Sequence, residues 1–294
     1  MNTTSTILRD ARLSFIGTGA MAEAMIAGLL KQSLVSPDQI TGSHPRPARR
    51  EELNARHQIH TTASNTDAVR FGHDAHESIV VIAVKPQRLT GVLDELKSVV
   101  TQPQLVLSIV AGARSETIAH ALDHAAIVRA MPNTPAQVGA GMTAWLPTLD
   151  VTEAQREQVR VMLGALGREM QVENENMIDM ATALSATGPT YIFMMMEALT
   201  DAGVHLGFSR LVSEQLVQQT MLGSVLFAME SHKHPAELRN MVTSPGGTSA
   251  EAIYQMEKGG LRTVFSKAVW AAYQRALDVV SLRGRVGLAG PPRR

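Results

Sequence analysis

A glycine-rich turn near the start of the chain constrains its fold more than any other feature. The apolar run at residues 13–16 leads into Gly17-Thr18-Gly19-Ala20-Met21-Ala22, and a helical pattern follows. In a strand, turn and helix of this kind, the first glycine permits the tight turn, the second lets backbone approach a pyrophosphate, and the small sixth residue lets the helix pack closely. The pattern predicts a dinucleotide site along the backbone from Gly17 to Met21. The alternative is a glycine turn that binds nothing.

Composition narrows the class of protein. The 294 residues are 45% hydrophobic and 18% charged, which is typical of a folded globular chain. Lys plus Arg equals Asp plus Glu at 27 each, so no net charge attracts nucleic acid or an anionic membrane. The chain has no cysteine and no apolar run of the roughly 20 residues that cross a bilayer. We expect a cytoplasmic protein without nucleic-acid or membrane partners.

The pattern of apolar residues changes along the chain. Buried-type runs at 13–16, 79–84, 105–110 and 127–131 predict parallel strands covered on both faces. A capping box that begins at Thr152 predicts a helix that closes this domain, and only helical patterns follow from about residue 174. The predicted fold class is an α/β Rossmann domain (13–168) followed by an all-α helical domain (174–283). A flexible extension (1–12) and a flexible tail (284–294) are expected at the ends.

The predicted helices of the second half are apolar over more than one face. Residues 192–196 and 264–276 are examples. A lone surface helix needs only one apolar stripe. We therefore expect a helical homodimer interface, with a large core inside one chain as the alternative.

The segment after the second predicted strand indicates which nucleotide binds. A site that prefers NAD places an acid on the adenosine ribose there, but this chain has Ser43-His44-Pro45-Arg46-Pro47-Ala48-Arg49-Arg50. The Ser43 hydroxyl and the Arg46 guanidinium suit a 2′-phosphate, which favours NADPH over NADH. Alternatively the arginines are the solvated start of the next helix, which fits Arg49 and Arg50 better than Arg46.

Three more strand ends should lie near the cofactor, because ligands collect at the carboxyl ends of parallel strands. Lys85 in Ala83-Val84-Lys85-Pro86 is placed to meet it, unless it is an ordinary surface lysine. The segments Val110-Ala111-Gly112 and Met131-Pro132-Asn133 should form a wall beside the nicotinamide half.

The helical half contains the segment Ser244-Pro245-Gly246-Gly247-Thr248-Ser249 before another helical pattern. Backbone N–H groups at a helix start form a site for a small carboxylate, and two hydroxyls, on Thr248 and Ser249, add donors. On physical grounds alone, an ordinary N-cap explains this segment equally well.

Several motifs occur together and in order. They are the glycine loop, the run 83–87, the run 131–135, Gly188-Pro189 followed by Tyr191, the run 201–204, and the run 244–248. In this combination the chain, over about residues 13 to 282, closely resembles the pyrroline-5-carboxylate reductase family, which catalyses the last step of proline synthesis.

The resemblance implies NAD(P)H as hydride donor and a dimer or a ring of dimers. It places Asn65 on the adenosine side of the cofactor. It also places the substrate carboxylate on the backbone of residues 246–249, with the Ser249 hydroxyl near the ring nitrogen. Glu175 would lie near the cleft, unless it is only an acid at a helix start.

The chain departs from the family pattern at a few positions. The family commonly has Thr at position 249, and Ser249 keeps the hydroxyl but lacks the methyl that restricts its rotamer. A Ser-Gly-Pro-Ala run of the family reads Thr187-Gly188-Pro189-Thr190 here. Ring-size preference could differ, whereas the reaction type should not.

Imine reduction needs no metal and no pair of carboxylates, because positioning a protonated imine against the nicotinamide supplies most of the acceleration. The histidines at 73, 76, 232 and 234 lack a third ligand and should be solvated. Other hypotheses are a reductase of a related cyclic imino acid, a hydroxyacid dehydrogenase and a non-catalytic NADP sensor. A hydroxyacid dehydrogenase requires a buried acid or base in the cleft, and a sensor has no need of the 244–249 segment.

Overall fold

The computed structural model describes residues 7–71 and 77–286, with side chains as far as residue 278. Within these residues the chain forms two compact units. One comprises residues up to Thr187 together with those from Ala272 onward, and the other comprises Gly188–Ala271. We call them the Rossmann unit and the helical unit.

The Rossmann unit is built on an eight-stranded sheet. Its strands are β1 Ala11–Ile16, β2 Ile40–Ser43, β3 His60–Thr62, β4 Glu77–Ile82, β5 Leu105–Ser108, β6 Ile127–Met131, β7 Gly141–Pro147 and β8 Gly167–Gln171. Their order is β3-β2-β1-β4-β5-β6-β7-β8. Strands β1 to β6 are parallel, β7 is antiparallel to β6, and β8 is parallel to β7. The first six strands have the order of a doubly wound dinucleotide fold, with the switch point between β1 and β4.

The central strands are covered on both faces, as their sequence predicts. In β4, Ile79 and Val81 join one buried cluster, whereas Val80 and Ile82 join another. Alternation arises because successive residues of a strand point to opposite faces. The four strands expected from apolar runs are all present and parallel, and β4 and β5 end two residues earlier than predicted.

Seven helices surround this sheet in the described residues. They are α1 Ala20–Lys31, α2 Pro47–His57, α3 Asn65–Arg70, α4 Leu89–Leu96, α5 Ser115–Leu122, α6 Glu153–Gly164 and α7 Glu175–Ala181. The predicted capping box opens α6, since the Thr152 hydroxyl accepts from the Gln155 N–H at 3.2 Å and the Gln155 side chain accepts from the Thr152 N–H at 3.0 Å. The expectation that α6 closes the domain is wrong. Strand β8 follows it because Gly167, at φ 138°, lets the chain return to the sheet beside Gly141.

The helical unit contains α8 Gly188–His205, α9 Arg210–Ser231, α10 Pro235–Met241 and α11 Thr248–Lys258, and α12 Leu261–Val286 begins in it. Helices α8 and α9 approach closely where a Cβ on Gly203 would lie 2.7 Å from the Ser213 hydroxyl. A π-helical turn over 182–186 precedes α8. No helix in the described ranges is both long and apolar enough to pass through a bilayer.

Regular structure extends further toward both ends of the chain than the sequence suggested. Leu8 is buried and β1 begins at Ala11, inside the segment expected to be a flexible extension. Helix α12 continues to Val286, past the expected start of the tail. The remainder of both predicted segments, residues 1–6 and 287–294, lies outside the described residues.

Candidate active site

The glycine loop joins β1 to α1 at the switch point of the sheet. Gly17 has φ 87°, and a Cβ there would lie 2.7 Å from the Val84 Cγ1, so both conformation and space require glycine. Gly19 is the N-cap of α1, and a Cβ on it would meet no atom within 4 Å. The first N–H groups of α1, at Ala20 and Met21, have no intrahelical acceptor by position. Open space beside free N–H groups and a positive helix end fits a pyrophosphate.

Ser43 holds the glycine loop in place. Its hydroxyl accepts from the Gly17 N–H at 3.2 Å, and its carbonyl accepts from the Thr18 N–H at 3.2 Å. The hydroxyl also donates to Asn65 Oδ1 at 2.7 Å. Ser43 and Thr18 are fully buried. The structure therefore commits the Ser43 hydroxyl, expected to bind a 2′-phosphate, to protein partners.

The three arginines that follow β2 have different surroundings. Arg49 is 14% exposed, pairs with Glu23 at 2.5 Å and Glu52 at 2.8 Å, and donates to the Thr18 carbonyl at 3.2 Å. Arg50 donates to the carbonyls of His44 at 2.8 Å and Pro45 at 3.0 Å. Arg46 is exposed. Arg49 and Arg50 thus stabilise the loop and the start of α2, and Arg46 has the freest charge of the three.

His44 lies between Ser43 and these arginines. Its Nδ1 accepts from the Arg46 N–H at 3.2 Å, which fixes the ring. Burial lowers the pKa of His44, and the positive charge of Arg46 lowers it further. The imidazole is therefore neutral near pH 7.

Two other strand ends present backbone toward the same edge of the sheet. Lys85 is exposed and is the N-cap of a short 3-10 turn after β4. Val110 is buried, and Gly112 takes a positive φ of 68° before α5. A cavity of about 310 Å³ lies within the Rossmann unit, and its lining residues are Ala111, Gly112, Asp179, Thr182, Thr187, Ala272, Arg275 and Ala276. The small residues at 111 and 112 leave room beside the backbone.

Asn133 connects three segments of the Rossmann unit. Its Oδ1 accepts from the Met142 N–H of β7 at 2.9 Å, and its Nδ2 donates to the carbonyl of Ser185 in the π-helical turn at 3.3 Å. The Asn133 amide therefore shapes the wall beyond β6.

Glu175 lies in a buried ion-pair cluster. Its carboxylate pairs with Arg129 and accepts from the Ser115 N–H at 2.9 Å. Arg129 also pairs with Asp179 at 2.7 Å, and Arg129 and Asp179 are 2% and 1% exposed. Burial alone would raise the pKa of Glu175, but the charge of Arg129 and the Ser115 hydrogen bonds lower it below its ordinary value. Both Glu175 oxygens thus have protein partners, and the cluster ties α7 to β6 and to the start of α5.

The 244–249 segment lies in the helical unit and leads into α11. Gly246 has φ 68°, which favours glycine, and Gly247 is the N-cap without any side-chain cap bond. The alternative of an ordinary Ser or Thr N-cap therefore does not hold for this helix. Thr248 and Ser249 occupy the first two helical positions, where N–H groups have no intrahelical acceptor. An uncapped helix start with two adjacent hydroxyls can bind a carboxylate.

Sequence reasoning missed the acids that organise the site. Glu23, Glu95 and Asp179 orient Arg49, Asn65 and Arg129 respectively. Glu23 lies in the first turn of the helix that follows the glycine loop, and this position could have drawn attention to it. The other two are distant in sequence from the groups they orient.

The histidines fall into two groups. The predicted solvated pair at His73 and His76 lies outside the described residues. His232 ends α9 at φ 54°, and the His234 Nδ1 accepts from the Ala236 N–H at 3.2 Å and caps α10.

Both halves of the chain match known protein families. Residues 175–279 match the family described as pyrroline-5-carboxylate reductase dimerisation. Residues 12–112 match the family described as NADP oxidoreductase, coenzyme F420-dependent. The observed fold agrees with both: a mostly parallel α/β sheet precedes an all-helical dimerisation segment.

Similar proteins extend over nearly the whole chain. A pyrroline-5-carboxylate reductase of Synechocystis is 38% identical, covering 91% of this chain and 98% of its own length. One of Pseudomonas aeruginosa is 37% identical, covering 93% and 98%. Among solved structures, a pyrroline-5-carboxylate reductase from Coxiella burnetii has a TM-score of 0.84 at 35% identity, covering 92% and 98%. The Plasmodium falciparum pyrroline carboxylate reductase, solved with NADP bound, has a TM-score of 0.82 at 28% identity, covering 92% and 98%. Agreement of sequence and fold along the full length of these proteins makes this chain a member of the pyrroline-5-carboxylate reductase family.

Proposed function

We propose that this chain reduces 1-pyrroline-5-carboxylate to L-proline with hydride from NADPH, which it prefers to NADH. The proposal includes a homodimer formed through the helical unit, which can assemble further into a ring of dimers. The observation that carries it is the helix start at Gly247, whose N–H groups no side chain caps. Family membership makes this reaction the expected one, and the helix start provides a place for the substrate carboxylate.

The cofactor residues follow from the glycine loop and the neighbouring strand ends. Bound NADPH supplies a hydride from C4 of its nicotinamide ring. The N–H groups from Gly19 to Met21 bind the pyrophosphate, and Arg46 binds the 2′-phosphate. Asn65 lies on the adenosine side, and Ser43 positions the loop. Lys85 and the backbone segments 83–86 and 110–112 line the nicotinamide half, with Asn133 shaping the wall behind them.

The substrate residues belong to the 244–249 segment. The backbone N–H groups of residues 247–249 bind the carboxylate, and the Thr248 hydroxyl adds a donor. The Ser249 hydroxyl hydrogen-bonds the ring nitrogen, which must carry a proton so that the C=N carbon accepts hydride and the nitrogen ends as an amine. Glu175 has an indirect role, because its carboxylate pairs with Arg129 and so holds α7 in position.

An absorbance assay tests the reaction. NADPH oxidation is followed with 1-pyrroline-5-carboxylate, then with its six-membered homologue and with the 2-carboxylate isomer. We expect the first to react fastest. Faster turnover of either analogue would favour a related imino-acid reductase. No oxidation with any of the three would refute the reductase proposal.

Substitution of Ser249 tests the role of its hydroxyl. Ser249→Ala should lower kcat roughly 10- to 100-fold, because the ring nitrogen loses a positioned hydrogen-bond partner. Ser249→Thr, which restores the hydroxyl, should retain activity. Ser224→Ala is the matched control, since the Ser224 hydroxyl donates to the Thr220 carbonyl of its own helix at 2.7 Å. Full activity in Ser249→Ala would remove this hydroxyl from the mechanism.

A further inference from the structure

A chain of three hydrogen bonds runs from the glycine loop to an acid on α4. The Gly17 N–H donates to the Ser43 Oγ at 3.2 Å, the Ser43 hydroxyl donates to the Asn65 Oδ1 at 2.7 Å, and the Asn65 Nδ2 donates to the Glu95 Oε2 at 2.7 Å. All four residues belong to the Rossmann unit. The exposed carboxylate of Glu95 is thus connected to the loop through two side chains.

The donor-to-acceptor direction of this series of hydrogen bonds is fixed at both ends. A backbone N–H can only donate, and an ionised carboxylate can only accept. Asn65 must therefore turn its NH₂ group toward Glu95 and its carbonyl toward Ser43. The single proton of Ser43 then goes to Asn65, since its other acceptor, the Phe15 carbonyl, is farther away at 3.4 Å. While the chain is intact, Ser43 has no proton to give to a phosphate.

These hydrogen bonds lie where the cofactor's ribose would bind. Ser43 is the last residue of β2, and in dinucleotide folds the group after this strand contacts the ribose 2′-position. NAD-preferring sites have an acid there, and this sequence has none at that point. The folded structure instead places an acid from α4, Glu95, against the side-chain amide of Asn65.

We propose that Glu95 is a specificity-determining residue that weakens the binding of NADPH relative to NADH and so opposes Arg46. Two physical effects act together. The carboxylate repels a 2′-phosphate of about two negative charges, and it orients Asn65 so that the Ser43 proton is already committed. The inference rests on the proposed function, because it assumes that the glycine loop binds these nucleotides.

Three variants separate charge from orientation. Glu95→Gln keeps an oxygen that can accept from the Asn65 Nδ2 but removes the charge, and Glu95→Ala removes both. Asp94→Asn is the matched control, since Asp94 is also exposed and immediately precedes Glu95 on α4. Arg46→Ala gives the opposite expected change.

The measurement is the dissociation constant of NADPH and of NADH, obtained from nucleotide fluorescence without imino acid at low and at physiological salt. Glu95→Gln should raise the preference for NADPH about threefold at low salt and less at higher salt, because the Debye length shortens to about 8 Å. Glu95→Ala should raise it at least as much, Asp94→Asn should change it less than about 1.5-fold, and Arg46→Ala should lower it roughly tenfold.

The outcomes distinguish this inference from the proposed function. An equal change in both dissociation constants for Glu95→Gln, or the same preference shift for Asp94→Asn, would overturn the role of Glu95. Wild-type protein that binds both nucleotides but reduces no imino acid would refute the proposed reaction while the Glu95 comparison still stands. Wild-type protein that binds neither nucleotide would refute both.

Discussion

The two units of this chain bury their apolar side chains to very different extents. In the Rossmann unit two continuous clusters cover both faces of the sheet. In α8 and α9, the described residues that are buried are Thr200 and Ser213 alone, and α10 and α11 bury none. Large apolar side chains such as Phe193, Val225 and Leu216 are instead 60%, 57% and 51% exposed. One unit completes its core from a single chain, whereas the other presents apolar surface of the kind that protein interfaces cover.

Loss of the dimer is the greatest effect that we expect from any substitution. The double substitution Phe193→Asp and Val225→Asp places charges on the exposed apolar surface of α8 and α9. At an interface each substitution should cost roughly 2 kcal/mol or more in every subunit, or about 8 kcal/mol for the four substituted positions of a dimer, so the dissociation constant of the dimer should rise at least about 10⁵-fold. Light scattering coupled to gel filtration measures the change.

Leu149→Asp is the control for this experiment. Leu149 is 97% exposed, but it lies in the Rossmann unit. The control should remain a dimer. A double variant that elutes as wild type with an unchanged Tm would show that the apolar surface of the helical unit is not the interface.

A smaller effect is expected from inside the Rossmann unit. Arg129→Met leaves the partly buried Glu175 without its cation and the buried Asp179 with Arg114 alone, at 3.6 Å, which should lower the free energy of unfolding by about 3 kcal/mol. Arg160→Met is the matched control, because Arg160 pairs with Glu157 at the surface and should contribute less than about 1 kcal/mol.

Tryptophan fluorescence can follow the loss of stability in the Rossmann unit alone. The chain has two tryptophans, of which Trp145 is fully buried in the Rossmann unit and Trp270 lies in the helical unit. In a Trp270→Phe background, urea unfolding reports on Trp145. Equal midpoints for Arg129→Met and Arg160→Met would contradict the importance of the buried cluster.

The smallest expected effect depends on pH. Burial alone would raise the pKa of Glu23, but hydrogen bonds from Arg49 and His57 outweigh it and lower the pKa to about 2 from 4.5. A carboxyl whose folded pKa is lowered stabilises the fold above about pH 4.5, and this contribution is lost as the pH falls toward about 2. Glu23→Gln should therefore cost about 1 kcal/mol at pH 6 and much less near pH 2.

Glu51→Gln serves as the control for this titration. Glu51 is exposed on α2, close to the same arginines in sequence. Its urea midpoints should follow wild type between pH 6 and pH 2. If Glu23→Gln and wild type differ by the same amount at every pH, the ion pairs of Glu23 do not account for the acid sensitivity.

The main elements of the fold could be predicted because their signals are local. The runs 79–84 and 105–110 are apolar on both faces, and the capping box at Thr152 needs only four residues. Strand β8 was missed because its pattern, Gly167–Gln171, is mostly polar and partly exposed at the edge of the sheet. Pairing with β7, which no local pattern encodes, makes it a strand.

The same distinction applies to the site. The glycine loop and the uncapped turn at 246–247 are short backbone motifs, and sequence located both. Roles of individual charges were harder to assign, because they depend on partners elsewhere in the chain. Arg49 is occupied by Glu23, and Glu175 by Arg129.

The class of fold, the position of the nucleotide loop and the family could all be inferred from contiguous motifs, since glycine and apolar periodicity set the backbone conformation of these motifs. Which polar groups are free to meet a ligand depends instead on how distant segments pack together. Ser43 is taken up by Gly17 and Asn65, and Glu95 reaches the end of β2 from another helix. Hydrogen bonds and ion pairs act over a few ångströms in space and are indifferent to separation along the chain, so they can be assigned only once the chain has folded.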